Sequence, residues 1–217
     1  MHRPLLLKTL VCLVALALLA SAINPHDRTT WLMEVLPVVI LLPALAYTHR
    51  RFPLSSLLYL LLAVQALGLV AGGHYTFPRV PVGFWLQDWL DLSRNPYDRL
   101  GHFFQGVVPA LIARELLVRN ERVHGKHLLP FVCVSMAMML SAVYELVEWA
   151  AALSLGQGAK AFLGMQGDQW DTQADMFCAL LGSLTAMTLL VHLHDRSMAA
   201  IGKPRQSLTA VQGEPAR

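Results

Sequence analysis

Six stretches of the chain are apolar for long enough to cross a bilayer, each close to the roughly 20 residues that a membrane helix needs. They cover 5–22, 31–47, 54–71, 100–118, 128–153 and 174–193. Short polar runs separate them. The pattern predicts an all-α polytopic membrane helix bundle of about six transmembrane helices. The first stretch contains Lys8, follows Arg3 and ends Ala20-Ser21-Ala22, which resembles a signal-peptide cleavage site. Its apolar run is long for a signal, and five more spans follow, which favours a retained helix. The fourth stretch is unusually polar at its start. One membrane domain, 1–199, covers nearly the whole chain. Residues 200–217 are polar and lack an apolar period, which predicts a disordered tail.

Composition supports this class. Of 217 residues, 55% are hydrophobic and 14% charged, with a mean hydropathy of +0.49. A soluble domain carries about 25% charge. A disordered chain, a coiled coil and an ordinary cytosolic enzyme are thereby excluded. The net charge of +3 is too small to argue for nucleic acid. The three cysteines, Cys12, Cys133 and Cys178, lie in apolar runs without CxxC spacing, so neither a disulfide framework nor a thiolate metal site is expected.

The basic residues set a topology. With the N-terminus inside, the inner segments hold Arg3, Lys8, Arg50, Arg51, Arg119, Arg122, Lys126, Arg196, Lys203, Arg205 and Arg217. The outer ones hold Arg28, Arg79, Arg94, Arg99 and Lys160. Both termini are expected to be cytoplasmic. Trp31, Trp85, Trp89, Trp149 and Trp170 then all fall at the outer side, and the stretch 84–92 is expected to lie along that interface.

Charge inside a membrane helix is costly, so its placement carries information. Asp98, His102 and Gln105 are spaced to share one face of the fourth helix. Ser141, Glu145 and Glu148 repeat that spacing on the fifth. Asp171 and Asp175 stand one turn apart at the start of the sixth, and Cys178 and Gly182 continue their face inward, where small side chains allow close packing. Glu34 and His74 join the same side. These stripes gather at the outer ends of their helices, and the cytoplasmic halves are almost wholly apolar.

Several chemistries fit such a cluster. Acidic groups at helix starts favour the helix dipole, and Arg94 or Arg99 would neutralise Asp98, Asp171 and Asp175. That account serves Glu145 and Glu148 poorly, because they sit near a helix C-terminus. One imidazole with several carboxylates suits a divalent metal such as Mg, Mn, Fe or Zn. The candidate ligands are Asp98, His102, Glu145, Glu148, Asp171 and Asp175. A metal so held would activate water against an envelope lipid or its phosphate headgroup, with His102 in the site and Glu145 or Glu148 as general base. No HExxH occurs, and Glu145-x-x-Glu148 lacks the His of the di-iron motif. Proton- or ion-coupled transport is a third reading, weakened because the cluster lies at one end and not at the midplane. The bland readings hold elsewhere. Arg114, Glu115 and Arg119 form a short ion-pair ladder at the cytoplasmic end of the fourth helix, and His192 and His194 mark the interface there. A non-enzymatic structural or partner-binding protein remains the main alternative.

Three runs carry a family resemblance: YDRLGHFFQG over 97–106, YELVEW over 144–149 and GDQWDTQADM over 167–176. In this order they resemble the YjdF-type bacterial inner-membrane proteins, from about residue 5 to residue 196. The resemblance implies a multi-span location in the bacterial inner membrane, and it carries over no catalytic residues. A more distant likeness is to VanZ-like membrane proteins, through Asp98, His102 and Phe103, then Glu145 or Glu148, then Asp171 or Asp175 with Gly182. The Asn expected after the last Asp is missing here. That family is linked to cell-envelope phenotypes and glycopeptide resistance.

Overall fold

The computed structural model describes residues 3–155 and 165–201. Every regular element among them is helical: α1 (Arg3–Ser21), α2 (Arg28–His49), α3 (Ser56–Tyr75), a 3-10 turn (Phe77–Arg79), α4 (Pro81–Trp89), α5 (Tyr97–Arg119), α6 (Leu128–Leu155), α7 (Asp171–Thr188) and α8 (Val191–Ala199). The expected tail, 200–217, lies almost wholly outside the described residues.

Helix starts follow local chemistry. Asp27 caps α2, its carboxylate accepting from the Thr30 N–H at 2.7 Å. That bond holds the Asp27 carboxyl below its ordinary value of 3.8. Ser55 caps α3 in the same way. Pro81 occupies the first turn of α4, where its missing N–H costs nothing.

Each of the six expected stretches contains a helix, but the span count is coarser than expected. Four helices are long and apolar enough to cross a membrane by themselves: Arg3–Ser21, Arg28–His49, Ser56–Tyr75 and Leu128–Ser154. The expected sixth helix does not run straight. It breaks after Thr188 and turns by 59° into α8, so the pair counts as a fifth span only if taken together. α5 has the length, about 34 Å at 1.5 Å per residue, but carries Asp98, Arg99, Arg114, Glu115 and Arg119. It tolerates them because it is the central helix, packed by α3, α6 and α7. Asp98, Arg114 and Glu115 are buried there, while Arg99 pairs with Asp168 and Arg119 with Glu115. The stretch 84–92 forms α4 and the turn after it, with Trp85 and Trp89 72% and 79% exposed.

Among the described residues, two larger apolar cores join the long helices, and a smaller one of Phe77, Val80 and Tyr97 lies at the start of α5. Leu58, Leu62, Val107, Val108, Leu111, Ala137 and Ala186 bind α3, α5, α6 and α7 together. Val14, Val35, Val38, Ala63, Ala66 and Val70 hold α1 and α2 on α3. Outward-facing Leu16, Leu19, Phe131 and Leu153 remain exposed, as a bilayer-embedded surface requires.

The end of the bundle opposite the acidic cluster is tied by a buried polar knot. Glu115 accepts from the Ser55 N–H at 2.8 Å and from Arg119 at 2.7 Å, and lies 3.0 Å from His194 Nε2. Arg114 approaches His194 Nδ1 at 3.3 Å and pairs with Asp195 at 2.7 Å. Guanidinium only donates, so Nδ1 accepts and Nε2–H donates to Glu115. The expected simple ladder is therefore corrected: Glu115 and Arg119 do pair along α5, while Arg114 serves α8. His194 marks no interface. It is fully buried, because the bend before α8 folds it back under α5.

Candidate functional site

The acidic end is organised by the start of α5. Asn95 is buried; its side chain accepts from the Tyr97 N–H at 3.0 Å and donates to the Val80 carbonyl at 3.1 Å. Gln166 brackets the Asn95 backbone with two bonds, at 3.1 and 2.9 Å. Asn95 and Gln166 were not foreseen as parts of the site. The Asn95-Pro96 turn signal was the one available clue, and nothing local marks Gln166. Beside them Arg94 binds Asp171 and reaches Asp168 at 3.5 Å, while Arg99 binds Asp168 at 2.7 Å. These pairs clamp the start of α7 to the start of α5.

Behind the clamp lies the predicted cluster. Asp98, His102, Glu145, Asp171 and Asp175 are all buried, as is Glu34. His102 stands between two carboxylates, with Nε2 3.6 Å from Asp98 and Nδ1 3.6 Å from Glu145. Asp98, His102 and Asp175 each offer one ligand atom, and these atoms lie within 4.8 Å of one another. Metal–ligand bonds of about 2.0–2.2 Å place neighbouring ligand atoms about 3–4 Å apart. His102 Nδ1, Glu145 Oε1, Asp175 Oδ1 and Ser141 Oγ are buried without a hydrogen-bond partner.

The six sequence candidates separate into roles. Asp98, His102 and Asp175 form the close group, and Glu145 faces the far nitrogen of His102. Asp171 is engaged by Arg94. Glu148 lies in the field of Asp98, Glu145, Glu34 and Asp175 without joining the close group. Two further residues enlarge the site. Tyr144 donates to Glu34 at 3.3 Å and sets its ring edge-on to His102, with centroids 6.0 Å apart. Glu34 comes from α2, far away in sequence. Its lone acidic placement in an apolar run was the signal that found it. Gln105 shares the face of His102, with its buried Oε1 unpartnered. His74 turns away and bonds the Ser21 carbonyl at 3.0 Å. Buried carboxylates that face one another need compensation from a cation or from protons.

Residues 6–196 match the model of a family described as predicted membrane protein (DUF2238). The chain belongs to that family. It is also 54% identical over 200 residues to the inner membrane protein YjdF of Escherichia coli (strain K12), covering 92% of this chain and 96% of that protein. No solved structure matches. As a DUF2238 member with several apolar helices, the chain is a multi-pass protein of the bacterial inner membrane.

Proposed function

We propose that the acidic end holds a divalent cation between Asp98, His102 Nε2 and Asp175, and acts there on the ester or phosphate of an envelope lipid. The supporting observation is the close, buried grouping of those three ligand atoms, beside partner atoms that bond nothing else. Glu145 suits the supporting role. A ligating imidazole commonly donates its other N–H to a carboxylate, which fixes its tautomer, and Glu145 is the group at Nδ1. Glu148 is then the general base, since it stands nearby without a ligand's position. A cation so held would lower the pKa of bound water. The cation would supply Lewis-acid activation of water, and Glu148 would be the group to take a proton from that water and return it to the ester oxygen, whose bond to the acyl carbon or phosphorus the water oxygen would replace. The same reading makes α5 a crossing, for six spans, with both termini cytoplasmic and the acidic end periplasmic.

Metal analysis of the detergent-purified protein tests this. About one divalent ion per chain is expected. His102→Ala and Asp175→Asn should lose it, and Glu145→Gln should weaken it by about 10–100-fold. Metal-free protein whose melting ignores added Mg, Mn and Zn overturns the proposal. Turnover is read separately, as phosphate or fatty acid released from labelled lipid in nanodiscs. Bound metal with no release, unchanged by Glu148→Gln, leaves a structural or partner-binding protein. That second reading draws on the Arg94–Asp171 and Tyr144–Glu34 pairs, which cement helices whatever the chemistry.

A further inference from the structure

A second site lies on the other side of α3, in a cleft between α1 and α2. Both helices lean on α3 but scarcely touch each other. At the acidic end they are pinned together. Trp31 Nε1 of α2 donates to Ser21 Oγ of α1 at 2.9 Å, and the turn between the two helices is tied to α3 where the His26 N–H donates to the His74 carbonyl at 2.8 Å. Toward the other end they part, leaving a cavity of about 560 Å³. Its walls include Leu10 and Val14 on α1 and Leu41 and Leu45 on α2. Its floor is made deep by two small residues of α3, Ala63 and Ala66. The α2 wall runs from Val38 to His49, about 16 Å at 1.5 Å per residue. That is the depth of one leaflet of a hydrocarbon core about 30 Å thick.

The polar groups of the cleft sit at one end. Lys8 and His49 line it there, and His49 Nδ1 lies 2.7 Å from the Tyr59 hydroxyl. Arg50 and Arg51 follow directly in sequence. Among the described residues, Lys8, Arg50 and Arg51 make no ion pair. An apolar slot one leaflet deep, with unpaired cations at its mouth, matches a lipid with a single anionic headgroup and an acyl chain. We propose that this cleft binds one anionic phospholipid from the leaflet on the N-terminal side, its acyl chain between α1 and α2 and its phosphate against Lys8. The site is independent of the acidic end. It fits a lipid that stays bound and sets the splay of α1 and α2.

Native mass spectrometry in mild detergent, after exchange in nanodiscs of phosphatidylglycerol mixed with phosphatidylcholine, tests this. The full chain should retain one phosphatidylglycerol. Ala63→Trp, which fills the floor, should lower occupancy by about tenfold. Lys8→Glu should reduce the preference for phosphatidylglycerol by about fivefold while leaving an acyl chain bound. If Ala63→Trp does not fold, Leu45→Trp blocks the mouth and reads the same loss. Equal retention of both lipids by the unaltered chain, or undiminished lipid in a folded tryptophan variant, overturns the proposal. So does a lipid-free dimer that cross-links through the cleft.

Discussion

Single side chains here act through what they satisfy. Glu115 is the clearest example, since one buried carboxylate serves the Ser55 N–H, Arg119 and His194. Removing one partner of a buried charge pair leaves the others uncompensated, at about 3–5 kcal/mol. Glu115→Ala is therefore expected to lower the melting temperature in detergent sharply, and Glu115→Gln to lower it less. Equal melting of all three proteins would contradict the bonded geometry. Asp27 is a milder case. Its capping bond to Thr30 holds its carboxyl below 3.8, so the folded form prefers the ionised state. That stability is present above the unfolded-state value and lost as pH falls through the lower folded value. Asp27→Ala should cost about 1 kcal/mol near neutral pH. The gap to the unaltered chain should close as pH drops below about 3.8. Melting curves across pH check both the size and the direction.

At the level of elements, the crossing of α5 and α7 decides whether the site exists. Gly106 lies against the Ala179 backbone, and Gly182 against the Phe103 carbonyl. Any Cβ at either position would strike backbone, which cannot swing aside as a side chain can. That contact brings the Asp98–His102 face of α5 onto the Asp171–Asp175 face of α7. Gly106→Ala should thus destabilise by about 1–3 kcal/mol through overpacking. It should also weaken divalent-ion binding at Asp98, His102 and Asp175, although it removes no ligand. Titration of a folded Gly106→Ala variant with Mn checks this, and unchanged affinity would show that the site does not depend on the crossing. The small-residue face of the sixth stretch was legible through Gly182, but Gly106, which meets Ala179 at the same crossing, was not, because a lone Gly does not announce which helix it meets.

The whole molecule has two chemically different ends. Carboxylates and exposed tryptophans gather at one, and the Glu115 knot with most of the described basic residues at the other. The excess of Lys and Arg on that second end predicts that it is cytoplasmic. A fluorescent protein fused after Ala199 should then fluoresce, and alkaline phosphatase inserted after Asp91 should be active. The reverse pattern would invert the topology, and discordant signals would change the number of spans.

Much of this was present in the chain itself. Apolar length located every long helix, and helical spacing put Asp98 with His102 and Asp171 with Asp175, because both signals depend on neighbours a few residues apart. The runs over 97–106, 144–149 and 167–176 were enough to point to the family. Only the tertiary structure decided which polar groups meet. It separated Asp171, taken by Arg94, from Asp175, left open beside His102. It buried His194 against Glu115, broke the sixth apolar stretch into α7 and α8, and opened the cleft between α1 and α2. The reason is physical. Hydropathy and period describe one helix in its own frame, whereas pairing, burial and cavities depend on rotations between helices that no local pattern encodes.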